Sequence, residues 1–97
     1  MTGHHLSPLA RADLSGIWDY SAERWGEDQA ETYIRLITGV CADLVAGRKV
    51  GKSIEAVRAG YFRHSAGSHV IFYRFGDRGE VEVIRILHQR MDIERHL

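Results

Sequence analysis

The sequence predicts an α+β fold in which a helical hairpin packs on an antiparallel sheet. Apolar residues recur at intervals of three and four along the first half of the chain, a pattern typical of amphipathic helices. The second half contains short strand-like runs separated by glycine-bearing connections. Because helix stripes and a sheet face each need an apolar partner, the helices are expected to cover one side of the sheet. The predicted order is β-α-α-β-β-β, followed by a short C-terminal helix.

The first helix is predicted to begin at Ser7-Pro8, directly after a short opening strand at His5-Leu6. A serine side chain can accept a hydrogen bond from an unpaired backbone N–H, and proline suits the first helical position. The helix is expected to end at Gly26. Its apolar stripe consists of Leu9, Leu14, Ile17, Trp18, Ala22 and Trp25.

The second helix is predicted to follow after only Gly26-Glu27 and to extend to Gly47. Its apolar face consists of Ala30, Tyr33, Ile34, Ile37, Cys41, Leu44 and Val45. A connection this short predicts that the two helices form an antiparallel hairpin.

The predicted strands lie beyond the polar residues 48–53, which lack periodicity and are interpreted as a loop. The strands are expected at residues 54–64, 69–75 and 80–87. Short glycine-bearing turns at 65–68 and 76–79 would join them into an antiparallel meander. The run 69–75 is apolar on both alternating faces, as expected for the middle strand.

Length and charge limit the classes of function. A chain of 97 residues that is 44% hydrophobic is expected to form one domain, residues 1–97. Its 13 basic and 13 acidic side chains cancel, so no overall field attracts a nucleic acid backbone. Direct, sequence-specific binding to nucleic acid is not expected. No apolar run approaches the roughly 20 residues of a membrane span, and the N-terminus does not resemble a secretory signal. With a single cysteine, the expected location is the cytoplasm.

Six histidines raise the question of a metal site, and their spacing argues against one. His4 and His5 are adjacent in an extended segment and would point to opposite faces. His64 and His69 flank a turn, but no third ligand lies at the spacing that zinc requires. Cys41 lies on the apolar face of the second helix and is interpreted as a core residue. No metal, nucleotide or other cofactor is therefore expected.

Several short motifs resemble ParE-type toxins of the RelE/ParE superfamily of bacterial toxin-antitoxin modules. Their joint order and spacing carry the resemblance across nearly the whole chain, although Lys49-Val50 stands where the family often has proline before Gly51. The matching pieces are Leu6-Ser7-Pro8, Ala12-Asp13-Leu14, Trp25-Gly26, Gln29-Ala30, Tyr33, His69-x-Ile71-x-Tyr73, Arg85-x-Leu87-His88, Met91-Asp92 and the final His96-Leu97.

The resemblance implies a growth-inhibiting toxin that is not an enzyme. The usual target of the ParE branch is DNA gyrase, and a cognate ParD-like antitoxin would neutralise the toxin in a hetero-oligomer. The RelE branch instead cleaves messenger RNA on the ribosome, and this remains the alternative. A third possibility is a degenerate module that binds an antitoxin and poisons nothing.

Ribonuclease chemistry would need a base, an acid and cations near the phosphate. The candidates are Arg63, Arg85 and His88, with Tyr73 and Lys52 in support. Each of the three main candidates also has a structural interpretation. Arg85 alternates with Val83 and Leu87 and could reach Asp92 or Glu94, His88 could bond backbone at the strand end, and Arg63 could protect an edge strand.

An antitoxin surface is predicted on the first helix. Tyr20 lies off the apolar stripe, near Gly16 and Arg24, so it presents an aromatic ring on the solvated side. Glycine within a helix costs roughly 1 kcal/mol relative to alanine and allows close approach of another chain. The resemblance implies that the arm of an antitoxin folds over the hairpin and the sheet edge, for which it needs a broad apolar track.

The target-binding surface is predicted in the C-terminal segment. Met91 and Ile93 are expected to pack against the body of the protein, while Arg90 and Arg95 project. Cations also suit the end of a helix, where unpaired carbonyls carry partial negative charge. Arg90 and Arg95 are therefore predicted to engage gyrase.

Overall fold

Two long helices and a four-stranded antiparallel sheet form the architecture in the computed structural model, which describes residues 5–97. This confirms the predicted α+β class and the position of the helical hairpin on the sheet. His4 lies outside the described residues. The elements are α1 (Pro8–Trp25), α2 (Glu27–Val45), β1 (Lys52–Ser53), β2 (Tyr61–Ala66), β3 (His69–Phe75), β4 (Val81–His88) and α3 (Ile93–His96), and the sheet order is β1-β2-β3-β4.

Ser7 caps α1 and also ties its start to β4. Its hydroxyl oxygen accepts a hydrogen bond from the Ala10 N–H at 3.0 Å and donates to the Ile84 carbonyl at 2.6 Å. The Ser7 N–H donates to the Val83 carbonyl at 2.8 Å. Leu6 forms a single parallel bridge with Val83, so the opening strand predicted at residues 5–6 is reduced to one bridge.

Gly26 alone connects α1 to α2. Its φ of +90° is a conformation that other residues rarely adopt, which explains why a glycine stands at this position. The Gly26 N–H still donates to the Ala22 carbonyl at 2.9 Å, so the last turn of α1 remains satisfied. The predicted antiparallel hairpin is confirmed, with a connection one residue shorter than expected.

The first predicted strand is wrong over residues 54–60. The N–H groups of Val57 and Arg58 donate to the Ile54 carbonyl, and the Glu55 carboxylate accepts a hydrogen bond from the Gly60 N–H at 2.7 Å. These local bonds close the segment into turns, so the strand begins at Tyr61. A fourth strand, β1, lies instead within the segment that was interpreted as a loop.

The two faces of the sheet support cores of different size. The face under the helices holds the main cluster, in which buried residues of the hairpin meet buried residues of β2, β3 and β4. The opposite face holds a smaller cluster of Val70, Phe72 and Leu87, covered by Ile54, Ile93 and Leu97. The prediction that 69–75 is apolar on both faces is confirmed. The main cluster consists of Ala10, Ile17, Ile37, Val40, Cys41, Leu44, Ala66, Ile71, Tyr73, Val81, Val83 and Ile86.

A β-bulge in β4 changes which side chains share a face. Phe72 pairs with Arg85 and Tyr73 pairs with Val83, so Ile84 is an extra residue on β4. Val83 therefore belongs to the cluster under the helices, whereas Arg85 shares the opposite face with Leu87. The expected alternation of Arg85 with both Val83 and Leu87 is wrong for this reason.

The apolar stripe predicted for α1 is only partly buried. Ile17 lies in the core, but Leu9 and Trp25 are 57% and 59% exposed. The buried positions of α1 also include Ala10 and Ser21, which carry small side chains. The large apolar side chains at both ends of α1 are left on the surface. Within residues 5–97, no helix is long and apolar enough to span a membrane.

The buried Tyr73 hydroxyl holds the segment before β1. It accepts a hydrogen bond from the Gly51 N–H at 2.7 Å. A Cβ added at Gly51 would lie 2.9 Å from the Tyr73 hydroxyl and would overlap the Arg63 carbonyl oxygen. The absence of a side chain at Gly51 therefore lets this segment pack against β2.

The substitution Gly51→Ala is expected to lower the free energy of unfolding by about 2 kcal/mol or more, because the added methyl group overlaps backbone that cannot move independently. Gly39→Ala provides the matched control. Gly39 lies within α2 with nothing near its added Cβ, so alanine is expected to stabilise the protein by about 0.5–1 kcal/mol. Urea unfolding of both variants measures the difference, and equal midpoints would contradict the proposed close approach.

Candidate partner-binding groove

An open groove of about 770 Å³ lies between α1 and the end of β4 with the C-terminal segment. Its apolar lining includes Ile17, Trp25, Leu87 and Met91, and its polar lining includes His69 at the start of β3 and His88 at the end of β4. The full set of lining residues is Ala12, Asp13, Gly16, Ile17, Tyr20, Ser21, Trp25, Gln29, Tyr33, Ser68, His69, Arg85, Ile86, Leu87, His88, Met91 and His96.

The groove wall depends on an ion pair between Asp13 of α1 and Arg85 of β4. Two guanidinium nitrogens of Arg85, Nε and Nη2, donate to the two Asp13 oxygens at 2.8 and 2.9 Å. The Ile86 N–H donates to the same carboxylate at 2.9 Å. The side chains of Asp13 and Arg85 are only 14% and 16% exposed, so the pair is largely desolvated. One carboxylate thus joins the helix to the outer edge of the sheet.

The predicted partner of Arg85 is wrong. Its guanidinium was expected to reach Asp92 or Glu94, but it binds Asp13, and its Nη1 donates to the His96 carbonyl at 3.1 Å. The hydrogen bond from Arg85 to Asp13 is the main reason that the Arg85 pKa is raised, in opposition to burial. Arg85 is therefore a structural cation that links α1, β4 and the C-terminal segment.

A pair of histidines lies at the polar end of the groove. The His69 and His88 rings face each other edge to face, with centroids 5.3 Å apart. The Tyr33 hydroxyl lies 2.6 Å from His69 Nδ1 and accepts a hydrogen bond from the Ser68 N–H at 2.9 Å. His88 Nδ1 accepts a hydrogen bond from the Arg90 N–H at 3.2 Å. Both rings are thus held in place through Nδ1, and the His88 bond matches its predicted structural role.

The C-terminal end of α1 presents an aromatic cluster formed by Tyr20, Arg24 and Trp25. The Tyr20 and Trp25 rings meet edge to face at 6.0 Å, and the Arg24 guanidinium lies 5.3 and 5.7 Å from their centroids. Tyr20 is 57% exposed, which confirms that it lies on the solvated side. Gly16 lines the groove one turn earlier, and nothing lies within 4 Å of a Cβ built there.

The C-terminal segment contributes to both faces of the sheet. Ile93 packs in the smaller cluster, as predicted, whereas Met91 is 47% exposed and lines the groove. Asp92 caps α3 by accepting a hydrogen bond from the Glu94 N–H at 3.1 Å. Arg90 and Arg95 are exposed, and the closest approach of Arg95 to Asp92 is a long 3.9 Å.

The ribonuclease candidates are divided between the two faces of the sheet. Paired residues in antiparallel strands share a face, so Lys52 and Arg63 share the face of Phe72 and lie away from the helices. Tyr73 is 1% exposed in the main cluster under the helices, and its hydroxyl is bonded to the Gly51 N–H. His88 pairs with His69, which faces α2 through Tyr33. These side chains do not converge on one point.

The structure contradicts the expectation for Arg63 and confirms the expectation for Cys41. Arg63 was expected on an edge strand, but Lys52 of β1 pairs with it, so its strand is covered at that position. Cys41 is fully buried, as predicted, and burial raises the pKa of its thiol to about 12, which makes it a poor nucleophile. Among residues 5–97, no group of three or more histidine, cysteine or acidic side chains could hold a metal ion.

Sequence reasoning missed several groove residues, including Asp13, Tyr33, Trp25 and His69. A signal for Asp13 was available, because it lies three residues after Ala10 and four before Ile17, on the side of α1 that faces the sheet. A lone acid on such a face needs a buried cation as its partner. For His69 the local sequence held no comparable signal, since its neighbours Tyr33 and His88 are distant in the chain.

Comparison with known proteins matches the chain to one protein family, both by a family model and by individual relatives. Residues 5–93 match the family model described as the ParE toxin of the type II toxin-antitoxin system parDE. The chain is 46% identical over 92 residues to Toxin ParE1 of Mycobacterium tuberculosis (strain CDC 1551 / Oshkosh), covering 95% of this chain and 94% of that protein. It is 45% identical over 97 residues to Toxin ParE1 of Caulobacter vibrioides, covering 100% and 99%.

The fold is similar to that of a solved chain described as the chromosomal ParDE TA system from P. aeruginosa. The TM-score is 0.73 at 21% sequence identity, and the match covers 86% of this chain and 90% of that chain. The similarity supports the arrangement of the helical hairpin on the sheet.

The substitution Asp13→Ala is expected to lower the free energy of unfolding by about 3 kcal/mol, because it leaves the desolvated Arg85 without its counter-charge. Glu31→Ala is the matched control, since it breaks the exposed pair of Glu31 with Arg35, in which the side chains are 56% and 78% exposed. That change is expected to cost less than about 0.5 kcal/mol. Urea unfolding measures both, and similar small losses would show that the Asp13–Arg85 pair does not hold α1 to β4.

Proposed function

Because this chain belongs to the ParE toxin family of type II toxin-antitoxin systems, we propose that it inhibits DNA gyrase and is neutralised by a cognate ParD-like antitoxin. The antitoxin arm would bind in the groove beside α1. The gyrase-binding surface would include Arg90 and Arg95. Toxicity would arise from binding to gyrase and not from cleavage of RNA.

The observation that carries the antitoxin proposal is the open, mainly apolar groove beside the exposed aromatic cluster of Tyr20, Arg24 and Trp25. Large exposed apolar side chains that adjoin a groove are typical of surfaces that bind another protein. An arm that becomes ordered on binding loses conformational entropy, so it needs a continuous apolar track of this kind. Gly16 leaves space in the wall for the arm to approach α1 closely.

The positions of the candidate ribonuclease residues favour a gyrase inhibitor over a RelE-like ribonuclease. A nuclease would need its base, its acid and its phosphate-binding cations around one phosphate. Here Arg85 is neutralised by Asp13, and Tyr73 is buried under the helices. Lys52 and Arg63 lie on the opposite face from His88. The zero net charge also gives little attraction to RNA.

The substitution Gly16→Leu is expected to weaken binding of the proposed cognate antitoxin by about tenfold or more, equivalent to roughly 1.4 kcal/mol. A leucine side chain at this position would project into the groove that the arm occupies. Isothermal titration calorimetry with the purified antitoxin measures the change.

Gly39→Leu is the matched control for this change. Both positions are exposed helical glycines with nothing near an added Cβ, but Gly39 does not line the groove. The Gly39 variant is expected to bind the antitoxin with unchanged affinity. If both variants bind like the unsubstituted protein, the arm does not occupy the groove.

The double substitution Arg90→Ala and Arg95→Ala is expected to reduce inhibition of purified gyrase by about tenfold or more, because two exposed cations are lost from the proposed contact surface. The assay measures DNA supercoiling as toxin is added. The control variant carries Arg35→Ala and Arg78→Ala, which remove two exposed arginines elsewhere and should leave inhibition unchanged.

Transcript integrity in a translating extract, measured together with DNA supercoiling by purified gyrase, distinguishes the three functional classes. The proposed function predicts loss of supercoiling with intact transcripts. Cleaved transcripts with normal supercoiling would instead support a RelE-like ribonuclease. If neither activity is found for a folded protein that binds antitoxin, the chain is a degenerate module.

A further inference from the structure

His69 and His88 form a polar part of the groove lining, and their existing hydrogen bonds determine which ring nitrogens remain available to a ligand. The His88 Nδ1 accepts a hydrogen bond from the Arg90 N–H, which is only a donor, so that nitrogen carries no proton. The neutral His88 ring therefore has its proton on Nε2. This assignment follows from the backbone bond and leaves Nε2 as a hydrogen-bond donor.

His69 is held at the same ring nitrogen. The Tyr33 hydroxyl oxygen accepts a hydrogen bond from the Ser68 N–H at 2.9 Å and shares a hydrogen bond of 2.6 Å with His69 Nδ1. Across the described part of the chain, the second ring nitrogen, Nε2, has no hydrogen-bond partner in either histidine. A protonated His69 carries a proton on both ring nitrogens, so its Nε2–H joins that of His88 as a donor at the groove.

Among the described residues that line the groove, no unpaired acidic side chain lies beside His69 and His88. Asp13 of α1 is the acidic side chain in the groove lining, and both its oxygens are bonded to Arg85 and the Ile86 N–H. The other titratable groups in the groove lining, besides the two histidines, are Tyr20 of α1, Tyr33 of α2, Arg85 of β4 and His96 of α3. Basic groups therefore outnumber the acidic group, which is already neutralised.

We propose that the histidine pair receives a carboxylate side chain from the antitoxin arm, so that the complex tightens as the pH falls from about 8 to about 6. This inference rests on the proposed function and specifies the chemistry of the arm at one end of the groove. The arm would place apolar side chains along Ile17, Trp25 and Leu87 and an acidic side chain beside His69 and His88.

The sign of the pH dependence follows from the change in His69. In the free protein, burial and then the neighbouring His88 hold the pKa of His69 below its ordinary value, while Asp13 opposes them. A carboxylate placed beside the ring favours its charged form and raises this pKa. The complex then takes up a proton at pH values between the free and bound pKa, so affinity rises as pH falls through that window.

A purely apolar arm would give the opposite result. It would bury His69 further, lower its pKa and release a proton, so the complex would weaken in acid. The direction of the pH dependence therefore distinguishes an acidic contact from an apolar cover. Each unit of difference between the free and bound pKa corresponds to at most a tenfold change in affinity.

Isothermal titration calorimetry of the full chain with the proposed cognate ParD-like antitoxin, at about pH 8 and about pH 6, tests the proposal. We expect affinity to rise by about tenfold at the lower pH. The double variant His69→Asn and His88→Asn should lose this dependence. Asparagine can keep an acceptor near the Nδ1 position for Tyr33 and the Arg90 N–H, but it does not titrate.

The control variant is His64→Asn, which changes a histidine of the same sheet that lines a different recess. It should keep the full pH dependence of the unsubstituted protein. Thermal unfolding of each variant identifies any loss of folding, and histidine Cε1–H resonances report directly whether the His69 pKa rises in the complex.

Two outcomes would overturn the inference while leaving the proposed function intact. One is antitoxin binding at pH 8 that weakens in acid, and the other is a pH dependence identical in the unsubstituted protein and the double asparagine variant. Failure of the antitoxin to bind at either pH would contradict the proposed function itself, and this inference with it.

Discussion

The contact between the Asp13 carboxylate and Arg85 is the constraint on which the rest of the structure depends. The two carboxylate oxygens of Asp13 accept hydrogen bonds from the Arg85 guanidinium and the Ile86 N–H, so one side chain of α1 neutralises a largely desolvated cation and binds the edge of β4. Arg85 also donates to the His96 carbonyl, which connects the C-terminal segment to the same point. These hydrogen bonds offset part of the penalty for desolvating two charges.

The groove is a consequence of the way α1 lies along β4. From Val81 to Ile86, the outer edge of β4 is occupied by groups near the start of α1, including the Ser7 hydroxyl and the Asp13 carboxylate. An edge strand covered in this way offers little backbone for pairing with another chain. The recess beyond Asp13 is lined by side chains from the helices, from the strand ends and from the C-terminal segment. Partner binding there would depend on side-chain chemistry.

The C-terminal segment connects the proposed antitoxin and target surfaces. Ile93 and Leu97 pack on the smaller cluster beneath the sheet, while Met91 and His96 line the groove. Arg90 and Arg95 remain exposed in the same short stretch. In the proposed function, an arm in the groove would therefore contact the segment that carries the two arginines proposed to bind gyrase. Neutralisation would then follow from occupation of adjoining surfaces.

The sequence by itself determined the fold class, the helical hairpin and the middle strand, because these depend on periodicity and on local signals such as Ser7 and Gly26. Sequence motifs also identified the toxin family that the comparisons established. Only the tertiary structure decided the bulge at Ile84, the pairing of Arg85 with Asp13 and the meeting of His69 with His88. Each of these depends on residues that are far apart in the chain or on the register of paired strands. Local patterns carry no information about such register, so the groove and its chemistry became visible only once the helices lay on the sheet.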